Sequence, residues 1–164
     1  MAVTAATIKD ITSDPLGDSV EIIRRGFGTV TAEMGLTEET APYSPAFMTL
    51  KQLEELRDSG AVFFGFFVGN RQIGFVAVQE ETDGVYFMKR LAVLPEFRHH
   101  GYGRELVKKV IDYLRTRGIN KLSLAMVNEQ TVLKDWYQGM GFKEKSIEHF
   151  GNMPFTICFM EKNI

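Results

Sequence analysis

A single cysteine in 164 residues excludes any intramolecular disulfide. That residue, Cys158, lies between Ile157 and Phe159 and reads as a small core hydrophobe. No apolar run is long enough to span a bilayer; Ala61 to Val68 is apolar but short, and fits a buried strand. The N-terminus lacks the charged-then-apolar layout of a secretory leader. A formal net charge of −2 leaves no overall basic field for nucleic acid. No Cys/His/carboxylate set stands at metal-ligand spacing, so no metal is expected. Nor does any repeat or low-complexity linker divide the chain. With 45% hydrophobic and 24% charged residues, the expectation is one cytoplasmic globular domain over residues 1–164, with neither membrane nor nucleic acid as partner.

The patterning gives the elements in order. Val3 to Ile11 alternates as a first strand, and Asp18 or Ser19 is placed to cap a helix running to about Met34. A second helix is expected over Ala46 to Asp58, closed by Gly60. Three β-type segments follow, Val62 to Val68, Gln72 to Glu81 and Val85 to Val93, and the turn signals Gly69-Asn70 and Asp83-Gly84 make them an antiparallel meander. A helix from Gly101 to Arg117 ends at Gly118, Lys121 to Val127 is a strand, and Gln130 to Met140 is a short helix. Phe142 to Phe150 and Phe155 to Glu161 close the chain as strands. The order β-α-α-β-β-β-α-β-α-β-β describes an α+β fold: a mixed, mostly antiparallel sheet of about seven strands with helices on both faces. The strands at Val85 and Lys121, joined by a helix, should run parallel.

One stretch carries chemistry. Leu91-Ala92-Val93 is a strand end, Pro95 stops it, and Arg98-His99-His100-Gly101-Tyr102-Gly103-Arg104 enters a helix whose periodicity resumes at Leu106, Val107, Val110, Ile111 and Leu114. Glycine admits close backbone approach, and a helix N-terminus carries partial positive charge, so the segment suits a phosphate or pyrophosphate. Other phosphate loops do not fit: there is no Gly-x-x-x-x-Gly-Lys-Ser/Thr, and Gly101-Tyr102-Gly103 lacks a third fingerprint glycine. A plain strand-to-helix connection is the competing reading.

Leu91 to Gly103 resembles motif A of the GCN5-related N-acetyltransferase (GNAT) superfamily. Asn128 with Trp136-Tyr137-Gln138-Gly139-Met140-Gly141-Phe142 resembles its motif B. The resemblance covers residues 60 to 145 well and the first third only by layout. It implies acetyl-coenzyme A as donor, with main-chain N–H groups of Arg98, His99, His100, Gly101, Tyr102, Gly103 and Arg104 at the pyrophosphate. It also implies that Leu91, Ala92 and Val93 lie along the pantetheine arm, in a gap where two parallel strands splay apart. Tyr137 stands where the family places a tyrosine near the coenzyme A sulfur; packing beside Trp136 and Phe142 is the alternative. Asn128 either bonds the pantetheine or caps the next helix.

Acetyl transfer needs a neutral amine, yet an alkyl amine titrates near ~10.4. Tyr86, Lys89, Glu80, Glu81 and His149 are candidate bases, none singled out. Phe27, Met34, Tyr43, Phe47 and Met48 with Glu33, Glu38 and Glu39 suggest an aromatic, acidic acceptor pocket or simply helix core and solvated face, and the turn from Phe150 to Phe155 is placed to wall the same cleft. The function implied is direct transfer to a primary amine, a small molecule first and a peptide second. A non-catalytic acyl-coenzyme A sensor is the rival. Homodimers are common in the family, though no motif here marks one.

Overall fold

The computed structural model describes residues 5–164; Val3 and Thr4 of the expected first strand lie outside them. The strands are β1 (Ala6–Asp10), β2 (Val62–Val68), β3 (Arg71–Thr82), β4 (Val85–Val93), β5 (Lys121–Val127), β6 (Lys143–Glu148) and β7 (Ile157–Asn163). The helices are α1 (Gly17–Glu33), α2 (Leu50–Asp58), α3 (Tyr102–Thr116) and α4 (Thr131–Gly139). All seven strands form one sheet in the order β1-β2-β3-β4-β5-β7-β6. Every pairing is antiparallel except β4 with β5. Among the described residues no helix is long and apolar enough to cross a membrane.

The meander follows from its turns, with Gly69 and Gly84 both at positive φ, as tight connections require. Side-chain alternation then assigns the faces. Gly26 of α1 packs against Ala92, and Leu106 of α3 packs against Gly74, which pairs with Val93. Ala92 and Val93 are consecutive, so α1 and α3 cover opposite faces of the sheet. On α3, Leu106, Val107, Val110, Ile111 and Leu114 form the buried stripe, and Gly118 at φ 74 ends the helix. Trp136 of α4 lies against Gly103, placing α4 beside α3.

Two helix starts differ from the sequence reading. The first helix is preceded by Leu16 rather than capped by Asp18 or Ser19. Ser19 is fully buried, and its hydroxyl accepts a hydrogen bond from Gln72 Nε2 at 2.9 Å. The second helix starts at Leu50, not Ala46. Pro45–Phe47 is a separate 3-10 turn, because Met48 and Thr49 are extended. Thr49 and Gln52 then form a reciprocal capping box.

The α1–sheet contact leaves no room at Gly26, where an added Cβ would sit 2.9 Å from the Ala92 Cβ. Gly26→Val should therefore lower stability by about 1–3 kcal/mol through overpacking. The check is the denaturant midpoint, and an unchanged midpoint would show that α1 docks more loosely than described.

Candidate functional site

Strands β4 and β5 are in register at only two positions, Phe87↔Ser123 and Met88↔Leu124. Beyond them β4 remains bound to β3 through Ala92 and Val93, while β5 remains bound to β7 as far as Val127. The facing edges thus part, leaving the β5 side of Leu91, Ala92 and Val93 without a strand partner. The chain then makes a 3-10 turn over Pro95–Phe97 and enters α3 through a loop with two left-handed residues, His99 at φ 67 and Gly101 at φ 81. Histidine tolerates that region better than most residues, and glycine has no Cβ to resist it.

The consequence lies in the main chain. The N–H groups of His99, His100, Gly101, Tyr102, Gly103 and Arg104 donate to no acceptor among the described residues. Six consecutive free donors, in a loop of alternating hand at a helix N-terminus, are groups of the kind that can receive an anion. Arg98 departs from the expectation. Its N–H is spent on the Pro95 carbonyl at 3.3 Å. Its guanidinium turns to α1, donating to the Gly26 carbonyl at 2.8 Å and the Thr29 hydroxyl at 3.1 Å. Both terminal nitrogens of Arg98 are thus spent on holding α1 to the loop. Arg104 is exposed, as are His99 and His100. The His100 ring lies 5.5 Å from Tyr102, which packs 4.5 Å from Phe66, so the loop is seated on the core by aromatic contact.

Tyr137, on α4, is 7% exposed and makes edge contacts with Trp136 at 5.1 Å and Phe142 at 5.6 Å. Burial pushes its phenol well above the usual tyrosine range, so the hydroxyl keeps its proton. Asn128 does not cap α4, whose cap position is Gln130 without a side-chain bond. Its Oδ1 accepts from Lys134 Nζ at 2.9 Å. Lys134 also pairs with Glu144, and Cys158 Sγ donates to Glu144 at 3.8 Å. The pair holds Glu144 below the ordinary carboxylate range and Lys134 above the ordinary amine range. Cys158 is fully buried and its thiol is pushed up by burial, the opposite of an activated nucleophile.

On the other face, a cavity of about 360 Å³ opens between the α1–α2 connection, α2 and β4. Tyr43 and Met48 line it, as does Arg90. Glu33, Glu38 and Glu39 do not, nor do Phe27, Met34 and Phe47; its one carboxylate is Glu55 of α2.

The sequence profile of the acetyltransferase (GNAT) family matches residues 30–142. The chain belongs to the GNAT family. Over 116 residues it is 27% identical to a probable N-acetyltransferase, camello, of Xenopus tropicalis, covering 66% of this chain and 53% of that protein; the chain thus matches about half that relative's length. Among solved structures, the ribosomal-protein-S18-alanine N-acetyltransferase of Escherichia coli superposes with a TM-score of 0.78 at 18% identity, over 98% of this chain and 94% of the other. The PaiA N-acetyltransferase of Thermoplasma acidophilum, solved with coenzyme A, gives a TM-score of 0.78 at 20% identity, over 98% and 99%. These two likenesses establish the GNAT fold.

Within this GNAT chain the candidate bases are largely engaged elsewhere. Tyr86 donates to Glu80 at 2.9 Å, which raises the phenol; the Gly84 N–H and then Tyr86 hold Glu80 low. Lys89 bonds Gln79 Oε1 at 2.8 Å and pairs with Glu81. His149 Nε2 is 2.7 Å from the Met153 carbonyl within the last hairpin. The sequence reading missed Arg90, Glu55 and Lys134. A signal existed for Arg90, since Lys89-Arg90 is a double cation interrupting the alternation of a core strand.

If Arg98 serves α1 rather than an anion, Arg98→Ala should cost about 1–3 kcal/mol of stability, as expected for lost charged hydrogen bonds. Affinity for coenzyme A should stay near wild type. Denaturation and equilibrium titration check this pair of outcomes, and intact stability with lost affinity would return Arg98 to the anion site.

Proposed function

We propose that this chain transfers the acetyl group of acetyl-coenzyme A to the primary amine of a small molecule, directly and without a covalent enzyme intermediate. The observation that carries the reading is the run of six free N–H groups beside the parted edge of β4. A pyrophosphate needs several converging donors and His99 to Arg104 supply them, so the residues present fit the group. One sheet and one continuous core serve both sides of the gap, which supports a single catalytic domain over residues 1–164.

Acetyl-coenzyme A supplies, when bound, an acetyl group activated as a thioester. The cradle anchors the pyrophosphate, and the free edge at Leu91, Ala92 and Val93 hydrogen-bonds the pantetheine arm as an added strand would. In the transfer the amine nitrogen bonds to the carbonyl carbon, the carbon–sulfur bond breaks, and the ammonium proton leaves to water or a base. Tyr137 is the residue to stabilise the departing thiolate by donating a hydrogen bond, because burial keeps its proton in place; the proton lost by the ammonium is the one available to the thiolate. Cys158, buried and bonded towards Glu144, is unsuited to carry an acyl group. A cavity of about 360 Å³ suits a small acceptor. The likeness to an S18-alanine N-acetyltransferase supports a protein N-terminus as the second reading.

Thiol release from acetyl-coenzyme A over a panel of small amines and N-terminal peptides tests the proposal. Release with a small amine supports it, release with peptides alone moves the acceptor to protein, and coenzyme A binding with no release at all favours a sensor. Tyr137→Phe should lower kcat by about 10²-fold or more with little change in coenzyme A affinity. The wild-type rate should show no alkaline loss near ~10, where an ordinary tyrosine would ionise. Cys158→Ala should retain most turnover, and a collapse in a folded variant would point to a covalent route.

A further inference from the structure

Arg90 is the residue whose surroundings the fold does not complete. Strand β4 carries an extra residue here: Ala92 faces Phe75 and Lys89 faces Ala77, so Arg90 and Leu91 together oppose Val76. The resulting bulge holds Arg90 at φ 56, a conformation strained for any residue with a side chain. Bulges re-aim side chains, and this one delivers a guanidinium to the wall of the cavity beneath α2.

That guanidinium has no partner. It forms no ion pair and donates no side-chain hydrogen bond among the described residues, unlike neighbouring Lys89, which is held by Gln79 and Glu81. Its Nε is the only buried side-chain nitrogen or oxygen there without a hydrogen-bond partner. Burial pushes the Arg90 pKa down, with no acidic neighbour opposing it, even though Glu55 lines the same cavity. Arg90 is half-buried, and a partly desolvated cation without a partner is costly; the planar fork of a guanidinium matches a carboxylate. Apolar walls at Pro42, Pro45, Met48 and Leu56 complete a pocket in which Arg90 is the one cation, beside the polar side chains of Gln52 and Glu55.

We propose that this cavity is the acceptor subsite and that Arg90 selects an acceptor carrying a carboxylate as well as its amine: a small amino carboxylate. The inference rests on the acetyltransferase reading and sharpens its substrate class. Arg90 lies two residues beyond the last β4–β5 pair, at the point where the gap opens. A molecule bound there by its carboxylate has its other end free to reach the gap. A peptide N-terminus lacks that adjacent carboxylate, which is tied up in the amide bond, so the subsite favours free amino acids over peptides.

The test uses matched sets of one acceptor skeleton: the amino carboxylate, its carboxamide and the decarboxylated amine, with a short peptide as a fourth arm. Binding is measured by titration in the presence of coenzyme A, and turnover by thiol release. The carboxylate members should bind about 10- to 100-fold more tightly than their amides. Arg90→Gln should erase that difference chiefly through KM, Arg90→Lys should restore part of it, and the melting temperature of Arg90→Gln without ligand should not fall. Equal use of amide and carboxylate, loss of all acceptors alike in Arg90→Gln, or no carboxylate-dependent binding would overturn the subsite. Arg90-dependent carboxylate binding with no thiol release would leave the subsite standing and sink the transferase reading. Turnover of every member of the set, the carboxylate included, unchanged in Arg90→Gln would do the reverse.

Discussion

The site depends on the parting of two strands. A parallel pair held at only two positions is a weak seam, yet it does not fray, because each strand is secured on its other side. Strand β4 is tied to β3 at positions up to Val93, and β5 to β7 along its full length. The backbone groups facing the gap therefore stay in place without satisfying one another. An unpaired sheet edge is ordinarily a hazard, inviting another chain to pair with it. Here it lies inside a sheet, bounded by β5, so it admits something narrow and extended rather than a neighbouring sheet.

Everything around the opening is placed by ordinary packing. Arg98 fastens α1 to the loop that follows β4, Tyr102 seats the loop on Phe66, and Trp136 closes against Gly103. The N–H groups are free for two reasons: Tyr102, Gly103 and Arg104 open α3, where no preceding turn offers an acceptor, and His99 and Gly101 take left-handed φ values that keep the approach from being helical. The chemistry of the site is thus a by-product of secured surroundings and an unsatisfied centre. The network of Asn128, Lys134, Glu144 and Cys158 plays a similar supporting part, joining α4 and the end of β5 to β6 and β7.

Local signals were legible in the sequence where local physics decides the outcome. The β-type apolar segments of β2 to β4, the glycines at Gly69, Gly84 and Gly118, and the stripe on α3 each act within a few residues, and they placed the sheet and the loop. The start of α2 was also written locally, in Thr49-x-x-Gln52, but Ser44-Pro45 offers a competing start and the backbone uses it for one short turn only. Arg98 bonding a carbonyl 72 residues away was not legible, since that depends on how α1 lies across the sheet. The bulge at Arg90 was hidden for a related reason. It exists only in the register between β3 and β4, and a single strand read alone shows two adjacent cations without showing which way either turns.

The contact between Trp136 and Gly103 has an optical consequence. Trp136 is the chain's one tryptophan, and its six-membered ring carbons lie 3.3–3.4 Å from where a Gly103 Cβ would stand. All indole emission from this protein therefore originates beside the first turn of α3, within the run of free N–H groups. The molecule carries its own fluorescent reporter beside the proposed anion cradle, able to register a change of charge or hydration there without any added label.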